Sequence, residues 1–138
     1  MYRIAVCDNE KRLTGQIESR ILELSCKRRV PVQVEVFFNG EELIDELDRD
    51  YYDAIYLKME MWEENGIQIA SRIRERDEEA LILFISEHKH YMEKAFEVGA
   101  FRYISNPMDH NTFERYFDAV IKKLSDSHKY FYFTYCKR

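Results

Sequence analysis

Tyr52-Asp53-Ala54-Ile55-Tyr56-Leu57-Lys58-Met59-Glu60-Met61-Trp62-Glu63-Glu64-Asn65-Gly66 is the stretch whose reading decides the fold. Its first half is a short apolar run bounded by charge. Its second half is a polar loop closed by Asn-Gly, and a helical pattern follows. The order is therefore strand, loop, helix. In an open α/β fold, function concentrates in the loops that leave the carboxyl ends of the strands, which puts Lys58 at the expected site.

Working outward, Arg3 to Cys7 is a short apolar strand broken by Asp8-Asn9-Glu10, residues suited to a helix start. Leu13, Ile17, Ile21 and Leu24 then repeat at helical spacing, and Lys27-Arg28-Arg29 forms a solvated, dipole-compensating end. After Pro31, alternation of Val32, Val34 and Val36 with Gln33 and Glu35 predicts a half-exposed edge strand. Asn39-Gly40 turns the chain into a short helix carrying Leu43, Ile44 and Leu47. Beyond Gly66, residues Ile67, Ile69, Ala70 and Ile73 mark a third helix with Arg72, Arg74, Glu75 and Arg76 on its outer face. Leu81 to Ile85 is a continuous apolar run, as expected of a strand covered on both faces. Tyr91 to Val98 reads as a fourth helix stopped by Gly99, and Ala100 to Ile104 as a fifth strand. Asp109 or Asn111 caps a last helix whose apolar stripe is Phe113, Tyr116, Phe117, Val120, Ile121 and Leu124.

Five repeats of strand then helix predict an α/β fold: a doubly wound, five-stranded parallel sheet in a three-layer α/β/α sandwich. Residues 1–124 form this domain. In residues 125–138, Ser125-Asp126-Ser127-His128 resembles a linker, and the aromatic run Lys129 to Cys136 reads as the first strand of a further, truncated domain. A native sixth strand or an ordered arm is the alternative.

A chain of 138 residues is long enough to bury one core without disulfides or metal. With 46% hydrophobic and 34% charged residues, and few Gly or Pro, it is expected to fold as one soluble domain. The formal net charge of -5 has the wrong sign for a surface that grips nucleic acid or an anionic membrane. Cys7, Cys26 and Cys136 lack the spacing of a zinc site or a disulfide scaffold, Cys7 being a core residue. A reducing cytoplasm is the expected location, with no membrane span or signal segment. His88-Lys89-His90 lacks a third ligand nearby, so no metal site is expected there.

The polar residues at strand carboxyl ends are Asp8 and Asn9, Lys58, Ser86 and Asn106, and they converge on one crevice. This set, with Ile4-Ala5-Val6-Cys7-Asp8-Asn9-Glu10, Tyr56-Leu57-Lys58-Met59-Glu60-Met61, Asn65-Gly66 and Phe96-Glu97-Val98-Gly99-Ala100-Phe101-Arg102-Tyr103, resembles the flavodoxin-like receiver domain of two-component response regulators. The resemblance covers roughly residues 2–124 and is nearest to receivers that precede a LytTR-type DNA-binding domain, including the accessory gene regulator group.

That resemblance implies an acidic pair after the first strand and a phosphoacceptor Asp ending the third, which together bind Mg²⁺. It also implies a Ser or Thr ending the fourth strand and a Lys after the fifth, which hold phosphoryl oxygens. Hard oxygen ligands, a carboxylate nucleophile and a cation are what that chemistry requires. Here Lys58 replaces the acceptor, Asn106 the phosphate-binding Lys and Asn9 one acid of the pair. Asp8 and Ser86 are retained, and Tyr103 stands at the switch aromatic. An ammonium cannot form an acyl phosphate and repels a divalent cation. The expected reading is a degenerate pseudo-receiver, not an enzyme, with no catalytic residue, no metal ligand and lost or weak Mg²⁺ binding. Lys58 is expected to occupy roughly the metal's place and to pair with Asp8, the alternative being a side chain that simply reaches solvent.

In the family, Glu60's position supplies a backbone carbonyl to the metal, its side chain usually pointing away. Trp62 either covers the crevice, meets a partner or is simply exposed, and Asn106-Pro107 is expected to be cis. The resemblance further implies a homodimer or partner interface on helix four, strand five and helix five, with Tyr91, Arg102 and Arg115 as exposed candidates. DNA would be bound only through a domain missing from this chain. The alternatives are a conventional Mg²⁺-dependent phosphoacceptor and a stand-alone interaction module of the same fold.

Overall fold

The structure, a computed structural model, describes the backbone of residues 1–136 and side-chain surroundings as far as Ser127. Its strands are β1 (Tyr2–Cys7), β2 (Val32–Phe37), β3 (Ala54–Lys58), β4 (Leu81–Ser86) and β5 (Ala100–Ser105). Its helices are α1 (Lys11–Arg28), α2 (Gly40–Leu47), α3 (Gly66–Arg76), α4 (Met92–Glu97) and α5 (His110–Cys136), with a 3-10 turn Lys89–Tyr91 leading into α4. All strand pairs are parallel and the order is β2-β1-β3-β4-β5, which is the doubly wound sheet expected. β2 is the edge strand its alternation predicts.

The period of two along each strand divides the core between the two faces. Ala5, Cys7, Ile55, Leu57, Ile82 and Phe84 pack under α2, α3 and α4, with Leu43, Ile44, Ile69, Ile73 and Ala95 as their partners. Ile4, Val6, Ala54, Tyr56, Leu83 and Ile85 face the other way, against Ile17, Ile21 and Leu24 of α1 and Phe113, Phe117 and Val120 of α5. Cys7 is a core thiol as expected, and burial pushes its pKa up to about 12, so it remains protonated and inert.

The helix starts follow local chemistry. Asn39 accepts from the Glu42 N–H at α2, and Asn65 with Gln68 forms a reciprocal capping box at α3. Asp109 accepts from the Thr112 N–H at α5. Gly66 matters for a second reason. A Cβ there would lie 2.9 Å from both the Lys58 carbonyl and the Met59 Cα, backbone atoms that cannot move aside cheaply. Gly66→Ala is therefore expected to cost about 1–3 kcal/mol in urea unfolding, the usual range for overpacking. Gly99 ends the α4 segment at φ 78°, a conformation that favours glycine.

Three expectations are corrected. Lys27-Arg28-Arg29 is not merely a solvated end: Arg28 binds Glu114 and Asp118, and Lys27 lies 3.5 Å from Glu114, tying α1 to α5. Arg74 is not on the outer face. Its guanidinium donates to the carbonyls of Val98 (2.9 Å), Gly99 (3.0 Å), Ala80 (2.8 Å) and Asp77 (3.2 Å). Finally, α5 continues through Ser125–His128 and Lys129–Cys136, where a linker and a strand were expected. No Gly or Pro interrupts residues 110–136, and aromatic β-propensity has little force where no neighbouring strand among the described residues supplies hydrogen bonds. Lys137 and Arg138 lie outside the described residues. Among the described residues, no helix is long and apolar enough to cross a membrane.

Candidate functional site

Register brings the polar strand ends together. β1 and β3 are neighbours with Cys7 opposite Leu57, so Asp8 and Lys58 are the next residues along on adjacent strands. The chain reverses its winding between these two strands, which is where an open α/β sheet forms a crevice. β3 and β4 align Lys58 with Ile85, and the Asn106 N–H donates to the Ser86 carbonyl at 2.9 Å. Asp8, Lys58, Ser86 and Asn106 thus share one end of the sheet. The Asn106-Pro107 bond is cis, as expected.

The Lys58 Nζ lies 3.8 Å from Asp8 Oδ1, with side-chain exposures of only 8% and 2%. At that distance the attraction is Coulombic, without a direct hydrogen bond. Nζ is nearer to Glu10, at 3.5 Å from Oε1 of a carboxylate that is 60% exposed. Glu10 is the partner sequence reasoning missed. The available signal was an acid two residues past Asp8, in a loop already known to turn at the crevice.

Asp8 Oδ1 accepts from the Glu10 N–H at 3.0 Å, whereas Oδ2 is buried without a hydrogen-bond partner. Burial raises the Asp8 pKa, and the Glu10 N–H and the Lys58 charge pull it back only in part. Asn9 lines a cavity of about 270 Å³ beside Phe38, Met61 and Trp62. Trp62 is 93% exposed and lines that cavity.

The buried Ser86 hydroxyl donates to Glu60 Oε2 at 2.5 Å, and the Glu87 N–H donates to Glu60 Oε1 at 3.0 Å. The expectation that Glu60 points away is overturned: its side chain crosses from the β3–α3 loop to the end of β4. Tyr103 is 9% exposed, and its hydroxyl donates to the His88 carbonyl. Of the interface candidates, Arg115 is exposed, but Tyr91 and Arg102 are half-buried. Tyr91 packs against the core, and the Arg102 guanidinium lies 4.3 Å from the Phe101 ring centroid and 5.5 Å from that of Tyr116.

Sheet order and crevice together define a flavodoxin-like α/β domain whose site lies at the carboxyl ends of β1, β3 and β4. A sequence model of the response regulator receiver domain matches residues 4–118, and the chain belongs to that family. Among curated relatives, it is 30% identical over 91 residues to the sensory transduction protein LytR of Staphylococcus haemolyticus, covering 66% of this chain and 36% of the relative. It is 32% identical over 82 residues to the transcriptional regulatory protein LytR of Staphylococcus aureus, covering 59% of this chain and 33% of the relative. The chain thus aligns with about a third of the length of these relatives.

Solved structures agree on the fold. A two-component response regulator from Clostridium difficile superposes with a TM-score of 0.78 at 17% identity, covering 90% of this chain and 98% of that one. The response regulatory domain of mrkE from Klebsiella pneumoniae gives 0.78 at 20% identity, with the same coverage.

Proposed function

We propose that this receiver domain is degenerate: it relays a signal by conformation or association, without forming an aspartyl phosphate. The observation that carries this reading is the Lys58 ammonium at the end of β3, paired with Asp8 and Glu10. A protonated amine has no lone pair for phosphorus, and its phosphorylated form would not be an acyl phosphate. The residues present also do not fit a divalent ion. Among the described residues, Asp8 and Glu10 are the carboxylates within 4 Å of the Lys58 ammonium, which already faces both, so a dication there would meet a fixed like charge. Asn106 in place of a lysine removes the second cation that a bound phosphoryl group would need.

In the whole protein, the domain would regulate transcription through an attached LytTR-type DNA-binding domain. The relatives named transcriptional regulatory proteins support this, as does the acidic charge of this chain, which leaves DNA contact to another domain. Such a regulator works in the cytoplasm. The α4, β5 and α5 surface, where Arg115 and the 55% exposed Phe96 lie, would serve as the dimer or partner interface.

The test is incubation with Mg²⁺ and acetyl phosphate, or with Mg²⁺ and beryllofluoride, followed by intact-mass spectrometry and size-exclusion chromatography. Mass and oligomeric state are expected to stay unchanged. A mass gain of one phosphoryl group would establish a conventional phosphoacceptor instead.

A further inference from the structure

We propose that Glu60 is a built-in ligand of an anion-binding site at the carboxyl end of β4, filling it from within the chain and excluding external oxyanions. This rests on the degenerate reading above and deepens it, because it explains what holds the crevice in one state when no phosphoryl group can. Two donors on consecutive residues converge on one two-oxygen acceptor: the Ser86 hydroxyl at 2.5 Å from Oε2 and the Glu87 N–H at 3.0 Å from Oε1. A hydroxyl beside a main-chain N–H at a strand end is the donor set that binds a small oxyanion, and a carboxylate satisfies it without a counterion.

Proton counting supports the assignment. Ser86 has one hydroxyl proton and two acceptors in reach, Glu60 Oε2 at 2.5 Å and the His88 carbonyl at 2.9 Å. The charged and closer acceptor takes it. The Ser86 oxygen then accepts from the His88 N–H at 3.0 Å, which fixes the loop after β4. The His88 carbonyl, set in place by that bond, accepts from the Tyr103 hydroxyl. A continuous chain of hydrogen bonds therefore runs from the β3–α3 loop through the β4–α4 loop to β5, and Tyr103 is held inward at its end. Burial keeps the Tyr103 phenol above its ordinary pKa, so it remains a donor.

The experiment compares wild type with Glu60→Ala and the isosteric Glu60→Gln by amide NMR, with inorganic phosphate as the probe. In wild type, phosphate is expected to leave the Ser86 and Glu87 amides unmoved. In Glu60→Ala, Glu87 amide exchange should rise by roughly tenfold or more, as loss of a charge-assisted bond implies, and Tyr103 ring resonances should shift. Phosphate should then perturb Ser86 and Glu87. Glu60→Gln keeps the shape but offers one acceptor oxygen for two donors, so it should fall between the two, and it decides the matter if the alanine variant does not fold. Unchanged Glu87 exchange in both variants overturns the ligand role. Phosphate shifts that are equal in wild type and variants, or absent from both variants, overturn the oxyanion site. A phosphoryl mass gain on wild type would instead overturn the degenerate reading, so the two failures are distinguishable.

Discussion

Lys58→Met is expected to destabilise the domain by about 2–3 kcal/mol near neutral pH, with a loss that shrinks as the pH falls. Removing one partner of a buried pair typically costs about 3–5 kcal/mol, because the other charge is left in a poorly solvated place. Two features reduce the figure here. The Lys58 to Asp8 separation of 3.8 Å lacks a hydrogen bond, and Glu10 is exposed enough to be solvated alone. The pH dependence follows from the raised Asp8 pKa. The folded state holds that proton more tightly than the unfolded chain does. Its contribution is therefore fully present below the ordinary carboxylate pKa and is lost as pH rises through the folded value. Methionine removes the Lys58 attraction that opposes burial, which moves the folded pKa further up and extends the loss to higher pH. Urea unfolding of both proteins at about pH 5 and about pH 7.5 checks this, with the gap expected to be wider at the higher pH. An equal loss at both values would show that Asp8 does not depend on the ammonium.

The second large effect lies away from the crevice. Arg74→Met is expected to cost about 2–4 kcal/mol, since it leaves the carbonyls of Asp77, Ala80, Val98 and Gly99 without their shared donor in a half-buried site. Burial lowers the Arg74 pKa but leaves it a cation, because a guanidinium titrates far above physiological pH. Arg74→Lys should recover less than half of the loss. One ammonium cannot span four carbonyls that a planar fork reaches from three nitrogens. Chemical denaturation with hydrogen exchange at the α4–β5 turn measures both variants. Full rescue by lysine would mean that charge, and not fork geometry, holds the turn.

Most of the scaffold was legible because its signals are local. The alternation of β2, the apolar runs of β3 and β4, and the Asn-Gly turns before α2 and α3 depend on neighbours in sequence. So does the gathering of Asp8, Lys58 and Ser86 at one end of the sheet, since parallel strands necessarily bring their carboxyl ends together. The aromatic tail shows where local reasoning fails. Tyr and Phe favour strands only when a partner strand packs beside them, and without one the uninterrupted chain extends α5.

Side-chain destinations were the illegible part. Helical periodicity put Arg74 on an outer face, but a long side chain reaches past its own helix to a turn 24 and 25 residues away in sequence. Glu10 and Glu60 stand in loops, where no period assigns a direction, and each is oriented by a group from another segment. By itself, the sequence determined a doubly wound five-stranded parallel sheet with β2 at an edge, the crevice at its strand ends and the presence of an ammonium where a carboxylate nucleophile would be required. The tertiary structure alone decided what that ammonium faces and what fills the Ser86 donors, because those contacts join loops that only the folded sheet brings within hydrogen-bond distance.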